Sequence, residues 1–147
     1  MLRDRVAEEM RTAMKAREQA RVAALRMLMT AVKNAEVEKL HELSDDEVLD
    51  VIAREAKRRR ESIEAFEKGG RTDLVEKETA ELRVLESYLP EKLSDDELAA
   101  IVDQAVAETG ATSPKQMGEV MKALMPKIRG RADGAQVSAL VKAKLGA

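Results

Sequence analysis

The last third of the chain carries the residues best suited to bind a ligand, since basic side chains there lie among glycines. From residue 110 onward, seven Lys or Arg stand against two acids, whereas residues 91–109 carry six acids and one Lys. Because Lys and Arg neutralise phosphate groups, this pattern favours an electrostatic contact with nucleic acid. An ordinary basic surface is the alternative. The candidate RNA-binding residues of this segment are Lys115, Lys122, Lys127, Arg129 and Arg131.

Two glycines of the same segment are also candidates. Gly118 falls inside a predicted helix, where Gly costs about 1 kcal/mol relative to Ala, and Gly134 lies at a predicted helix start. Gly118 could permit either a close helix–helix crossing or the close approach of a ligand. Gly134 could leave N–H groups open to an anion or only permit a tight turn. We therefore treat both as candidate close-approach glycines.

A second concentration of positive charge lies at residues 57–60, one helical turn after Arg54. Helical spacing puts Arg54 on the same face as Lys57 or Arg58. Acids at positions 50, 55, 61 and 64 could pair with these cations within the helix. The run is therefore either a salt-bridged, solvated face or a phosphate-contacting stripe. Arg54, Lys57 and Arg58 are further RNA-binding candidates.

Residues for catalysis or metal binding are scarce. The chain has no Cys, which excludes thiolate catalysis and Cys-based zinc sites. Its one histidine, His41, is accompanied by no nucleophile motif, and the sequence has no phosphate-loop, dinucleotide-binding or His-Glu-x-x-His signature. The acidic triplets at 45–47 and 95–97 are better explained as helix starts than as metal ligands. We predict no catalytic residue, no metal site and no cofactor.

The elements that position these residues are predicted to be helices. Apolar residues recur with a period of 3.6 and do not alternate as in strands, and with one Phe and one Tyr the core must be aliphatic. Pro90 is the predicted boundary. We therefore predict an all-α fold, with a four-helix subdomain at residues 1–90 and a three-helix subdomain at residues 91–147. The predicted helices are roughly 2–16, about 18–40, 45 to about 68, about 73 to Pro90, 95–109, one from 113 that Pro126 kinks or ends, and one that Asp133 caps. The sequence leaves open whether the first two helices join near Arg17.

Capping residues mark the predicted helix starts. The pentapeptide Leu-Ser-Asp-Asp-Glu occurs at 43–47 and again at 93–97, and each copy predicts a Ser cap with a Glu partner three residues later. Within the third helix, Arg59 falls on the predicted inner face together with Ile52 and Ala56. Further capping boxes are predicted for Asp73 with Glu76, Ser113 with Gln116, and Asp133 with Gln136.

The sequence also bears on location. The first residues carry charges, unlike a secretory signal. No apolar run approaches the ~18 residues of a membrane-spanning helix, since Arg26 interrupts the best one. The net charge of −2 does not mark the whole chain as a nucleic-acid binder, so any such contact depends on local patches. We predict a soluble, cytoplasmic protein with no membrane partner.

Several short segments form one joint pattern over nearly the whole chain: residues 25–28, 60–66, 70–74, 78 with 81, 88–90, 117–121 and 130–134. Together they resemble the GatB/YqeY family in its stand-alone form. The resemblance implies an all-α fold of two subdomains split near Pro90. It also relates the chain to the tail of the B subunit of the tRNA-dependent amidotransferase, which helps to hold tRNA. The catalytic sites of that enzyme lie in other domains and subunits, so no catalytic residue is carried over.

The resulting hypothesis is a non-catalytic helical module that binds tRNA or tRNA-like RNA, with an amidotransferase as a potential protein partner. The near absence of aromatic residues favours folded RNA recognised through shape and backbone. One alternative is a protein-interaction adaptor without RNA binding, which predicts an exposed apolar patch around Met117, Met121 and Met125. The other, implied by the resemblance, is an accessory subunit associated with carbon–nitrogen ligase activity that uses glutamine as amido-N-donor.

Overall fold

Helices and short turns make up the part of the chain that the structure, a computed structural model, describes, namely residues 1–146. No strand occurs in this range, so the predicted all-α fold is confirmed. The chain divides into two units, one of residues Met1–Leu89 and one beginning at Pro90. The helices are α1 (Leu2–Ala16), α2 (Gln19–Lys39), α3 (Asp45–Lys68), α4 (Thr72–Glu86), α5 (Asp95–Thr109), α6 (Met117–Ile128) and α7 (Gly134–Lys144), with a 3-10 turn (Pro114–Gln116) before α6.

The first unit consists of α1 to α4 around an aliphatic core. The helix α4 packs along both α3 and α2, and α1 packs on α2. Every helix contributes fully buried side chains at helical spacing, among them Val6, Leu25, Leu28, Ile52 and Leu85. Because burying each such side chain contributes about 1.5–3 kcal/mol, this packing, more than helix propensity, holds the unit together.

The second unit has its own core. Here α5 packs against both α6 and α7. The buried residues come from all three helices and include Leu98, Val102, Val120, Leu124 and Val141. The outward faces of α6 and α7 are left to the polar and basic residues between these apolar positions.

Ser44 and Ser94 cap α3 and α5, as the repeated pentapeptide predicts. The Ser44 hydroxyl accepts a hydrogen bond from the Glu47 N–H at 3.2 Å, and the Glu47 carboxylate accepts from the Ser44 N–H at 3.1 Å. The Ser94 hydroxyl accepts from the Glu97 N–H at 3.1 Å. The Lys39 ammonium and these cap contacts lower the pKa of Glu47 to about 2. The acidic triplets therefore serve helix starts.

The predicted box at the start of α4 is wrong. The helix begins at Thr72, after Arg71, and no side chain caps it. Instead, Arg71 Nη2 lies 3.3 Å from Asp73 Oδ2. Because Asp73 is already the second residue of the helix, Asp73 and Glu76 do not occupy the cap and third positions that a capping box requires.

Of the capping box predicted at the start of α7, the Asp133 cap forms and the Gln136 contact does not. Asp133 is the cap, and its carboxylate accepts a hydrogen bond from the Ala135 N–H at 3.2 Å. Gln136 does not complete the box, because its side-chain amide donates to Asp95 Oδ1 at 3.1 Å. The amide therefore joins α7 to the start of α5.

The segment after Ser113 differs from a simple helix. It opens as a 3-10 turn, in which Gln116 Oε1 accepts from the Ser113 N–H at 3.3 Å, and the α-helix begins only at Met117. The helix continues through Pro126 to Ile128, so Pro126 does not end it. Gly118 is consequently the second residue of α6 and follows the 3-10 turn without a break, so it lies inside a helical segment as predicted.

The turn between α1 and α2 depends on an arginine in the left-handed conformation. Arg17 has φ 57°, and its N–H donates to the Met14 carbonyl at 3.3 Å. The Glu18 N–H donates to the Ala13 carbonyl at 3.1 Å, so terminal carbonyls of α1 are satisfied. A residue with a Cβ costs roughly 1–2 kcal/mol in this conformation, a cost that Gly would avoid.

Candidate functional site

Two lysines of the second unit are available to an anionic ligand. Lys115 lies in the 3-10 turn and Lys122 on α6, and both are exposed. Neither has an ion-pair partner within residues 1–146. Gly118, one helical turn before Lys122, is exposed between them. The acid on this face is Glu119. We call the exposed surface of Lys115, Gly118, Glu119 and Lys122 the α6 face.

Lys127 lies away from that face and is partly neutralised. Its Nζ lies 3.5 Å from Glu108 Oε2 on α5, and both side chains are about half exposed. Exposed pairs of this kind contribute at most about 1 kcal/mol, so a phosphate could displace the carboxylate. Lys127 is therefore a second-rank candidate.

Arg131 is held by contacts within the second unit. Its Nε donates to the Glu91 carbonyl at 2.9 Å, and its own carbonyl accepts from the Leu93 N–H at 2.9 Å. The residue thereby joins the start of the second unit to the turn between α6 and α7. Arg129, on the other side of Gly130, is half-buried and also engaged.

The two candidate glycines lie in open space. A Cβ built on Gly118 or on Gly134 would meet no atom within 4 Å. A close helix–helix crossing, the alternative considered for Gly118, is therefore wrong. Gly134 is the first residue of α7 and does not have a positive φ, so a tight turn does not require it.

The basic run of the first unit separates into exposed and buried cations. Arg54 is exposed and unpaired as far as the structure describes the chain. Lys57 is exposed but has an interaction partner. Arg58 Nη1 lies 3.5 Å from Glu55 Oε1 on the same helix. The run is thus partly salt-bridged, as the first of the two interpretations expects.

Arg59, the remaining member of that run, lies in a buried charge cluster. Its Nη1 donates to Glu78 Oε2 at 2.8 Å and to Glu81 Oε2 at 2.5 Å. Its Nη2 lies 3.3 Å from Met27 Sδ, and its Nε has no partner. The side chains of Arg59 and Glu81 are 7% and 4% exposed. The cluster is too enclosed to receive a large anion and joins α3 to α4.

A second network joins α1 to the end of the first unit. The Tyr88 hydroxyl donates to Glu9 Oε2, which also accepts from Arg21 at 3.2 Å. Arg5 bonds the other carboxylate oxygen at 3.0 Å, and its guanidinium lies 5.2 Å from the centre of the Tyr88 ring. The Tyr88 hydrogen bond lowers the pKa of Glu9, whereas burial raises the pKa of Tyr88. These shifts follow from a structural network that holds no open site.

A third charged pair holds the turn between α2 and α3. Glu36 accepts from Arg3 at 2.7 and 3.0 Å, one bond to each carboxylate oxygen, and from the Leu43 N–H at 3.0 Å. The Arg3 bond lowers the pKa of Glu36, and the reciprocal bond raises the pKa of Arg3. Glu36, a largely buried acid of α2, thus has its partner on α1.

The apolar patch that the adaptor alternative predicts around Met117, Met121 and Met125 does not form. All three side chains are half-buried against the core of the second unit. The exposed large apolar side chains that the structure does describe are Met1, Met14, Met27, Val37 and Leu40, all in the first unit.

The described part of the chain offers neither a metal site nor a membrane span. Within it, no group of three or more His, Cys, Asp or Glu side chains is placed to hold a metal ion. No helix there combines the length and the apolar character needed to cross a bilayer.

Comparison with protein families matches residues 3–145 to the family described as "Yqey-like protein". The chain belongs to the YqeY-like family. The predicted GatB/YqeY resemblance is confirmed at the level of this family. The family is not a known catalytic domain.

Curated relatives of this YqeY-like chain include "Altered inheritance of mitochondria protein 41, mitochondrial" from three fungi. The Eremothecium gossypii protein is 32% identical over 108 residues, which cover 71% of this chain and 59% of the relative. The Kluyveromyces lactis protein is 34% identical, with 73% and 60% covered. The Pyrenophora tritici-repentis protein is 30% identical, with 97% and 80% covered. The match therefore spans about three fifths of the length of the first two relatives.

These names correct one prediction from the sequence. Relatives named as mitochondrial proteins do not agree with a cytoplasmic location, so the cytoplasmic prediction is wrong. It rested on the absence of a secretory signal and of long apolar runs, and neither observation distinguishes between compartments inside a cell.

Proposed function

We propose that this YqeY-like chain is a non-catalytic module that binds folded RNA such as tRNA, with the α6 face as the principal phosphate contact. The observation that carries the proposal is the pair Lys115 and Lys122, exposed and without an ion-pair partner in the described range. Lysines that are already paired must give up a carboxylate before they bind phosphate, whereas these two need not.

The surface between the two lysines supports the same proposal. At Gly118 no side chain covers the α6 backbone, and a Cβ there would meet nothing within 4 Å. A phosphate can therefore approach α6 closely at this point. Lys127 lies within the same helix and can exchange its exposed carboxylate partner for phosphate.

The state of the two aromatic residues bears on the kind of RNA. Tyr88 is buried with its hydroxyl engaged by Glu9, and Phe66 is half-buried. Recognition of single-stranded RNA by stacking requires aromatic rings presented to the bases. We therefore propose recognition of folded RNA through its phosphate backbone.

The choice of tRNA rests on the resemblance to the tail of the amidotransferase B subunit. If the chain joins an amidotransferase, it would be an accessory subunit of a carbon–nitrogen ligase that uses glutamine as amido-N-donor. That role requires catalytic partner subunits. It predicts that adding the chain to those subunits changes glutamine-dependent amidation of misacylated tRNA.

The direct test measures tRNA affinity against salt concentration for a Lys115→Glu/Lys122→Glu variant. Each lost phosphate contact reduces the magnitude of the slope of log affinity against log salt by about 0.7–0.9. The slope of the double variant should therefore be smaller by about 1.4–1.8. Arg131 is not substituted, because its bonds to Glu91 and Leu93 hold the fold.

The matched control is a Lys92→Glu/Lys142→Glu variant, with the same change of charge. Both lysines are exposed in the second unit and unpaired among the residues described. We expect the control to retain the wild-type slope. Equal losses in both variants would indicate unspecific charge attraction, and an unchanged slope in the α6 variant would refute the site.

A further inference from the structure

A shallow groove opens on the first unit beside the turn between α1 and α2. It has a volume of about 460 Å³ and is widely open to solvent. None of the residues considered for RNA binding lines it. The lining residues are Met14, Arg17, Gln19, Val22, Ala23 and Arg26.

The floor of the groove is apolar. Met14 is 48% exposed and presents its apolar side chain to the groove. Val22 and Ala23 are half-buried beside it. Methionine side chains adapt their shape to a partner, and exposed ones are common on protein-binding surfaces.

The rim of the groove is cationic. Arg17 and Arg26 line it, and neither has an ion-pair partner in the described part of the chain. No acid lines the groove, and α2 has no acid before Glu36. The charge that complements this surface is therefore negative.

The conformation of Arg17 provides a separate handle on this surface. With φ 57° it occupies a backbone region that Gly adopts at no steric cost. Leu40 ends α2 in the same region with φ 62°, so the conformation follows from the helix end and the proposal rests on the groove and its charge.

We propose that this groove docks an amphipathic helix of a partner protein, whose apolar stripe is flanked by Asp or Glu. The apolar stripe would cover Met14 and Val22, and the acids would pair with Arg17 and Arg26. A small molecule would be poorly enclosed in so open a groove. A nucleic acid would gain nothing from the apolar floor, whereas an amphipathic helix lays its apolar face on such a surface.

The test uses a synthetic amphipathic peptide of about four helical turns, with Leu on one stripe and Glu on both flanks. A second peptide carries Lys in place of every Glu. Binding is followed by NMR of the full chain with 13C-labelled methionine methyl groups. The acidic peptide should shift the Met14 signal and leave Met121 of the second unit unmoved.

The variants separate binding from folding. The Arg17→Gly/Arg26→Gln variant should bind the acidic peptide about fivefold to tenfold more weakly than wild type. Arg17→Gly alone should raise the melting temperature, because Gly relieves the left-handed strain. A purely structural role for Arg17 predicts no such combination of weaker binding and higher stability. Lys33→Gln, an exposed position of α2 outside the groove, is the matched control and should bind like wild type.

Three results would overturn the proposal: an unmoved Met14 signal, equal binding of both peptides, or wild-type affinity in the double variant. A Met14 shift caused by tRNA in place of the peptide would also overturn it, by assigning the groove to RNA. Affinity for tRNA, measured on the same variants, should be unchanged, so failure of the groove and failure of the α6 face are distinguishable.

Discussion

Replacing Arg59 with Met tests how far the first unit depends on its buried charges. The substitution leaves Glu78 and Glu81 without their cation, and the Glu81 side chain is only 4% exposed. Glu78, at 20%, keeps some contact with water. Removing one partner of a buried ion pair costs about 3–5 kcal/mol, chiefly from the charge left behind. That is a large share of a total stability of roughly 5–15 kcal/mol.

Companion variants identify the source of this loss. Glu81→Gln keeps Arg59 paired with Glu78 and should cost less, about 1–3 kcal/mol. Arg59→Met/Glu81→Leu removes the buried cation and the more buried acid together. Because apolar replacements of a buried pair are often neutral, the double variant should recover most of the stability that Arg59→Met loses.

Tyrosine fluorescence is a suitable assay for the first unit. Tyr88 is the one tyrosine and the chain has no Trp, so intrinsic emission reports on the unit that contains Arg59. Urea unfolding with linear extrapolation then gives the free energy of unfolding. A loss below about 1 kcal/mol for Arg59→Met would refute the reasoning, as would a double variant less stable than that single variant.

Three further predictions concern other contacts. Glu36→Gln should cost about 1.5–3 kcal/mol at neutral pH, since it breaks charged bonds to Arg3. Because the pKa of Glu36 is lowered in the fold, its contribution is present above the unfolded pKa of about 4.3 and is lost as pH falls through the folded value. Urea midpoints from pH 7 to pH 3 should therefore fall less steeply for the variant. Ser94→Ala should cost about 1 kcal/mol in thermal unfolding, through its lost cap. Gly118→Ala should stabilise by about 0.5–1 kcal/mol, and a destabilised variant would mean that the open space beside it is occupied.

Local signals predicted most of the fold. The bounds of α3 and α5 agree with the predicted 45–68 and 95–109, because a Ser cap precedes each helix and a Gly follows its last residue. The start of α4 failed for a local reason as well. The helix begins at Thr72, one residue before Asp73, the predicted cap.

Non-local partners could not be predicted in the same way. Helical phase places Arg59 on the inner face of α3, but the sequence does not predict its burial with two acids, because these lie 19 and 22 residues later on another helix. The sequence predicts Arg131 as a phosphate contact and gives no sign of its bond to Glu91. The acceptor of that bond is a backbone carbonyl 40 residues earlier, which no side-chain pattern marks. The phase of a helix predicts which way a charge points and leaves its partner undetermined.

The bond between Tyr88 and Glu9 bears on the order in which the protein forms during synthesis. It joins residues 79 positions apart, and Tyr88 comes just before the last residue of the first unit. Helix α1 leaves the ribosome early but cannot make this bond until nearly the whole unit has emerged. The second unit packs around its own core, so its folding can begin afterwards. The bond of the tyrosine thus forms only when the end of the first unit has left the ribosome, by which time synthesis of the second unit has begun.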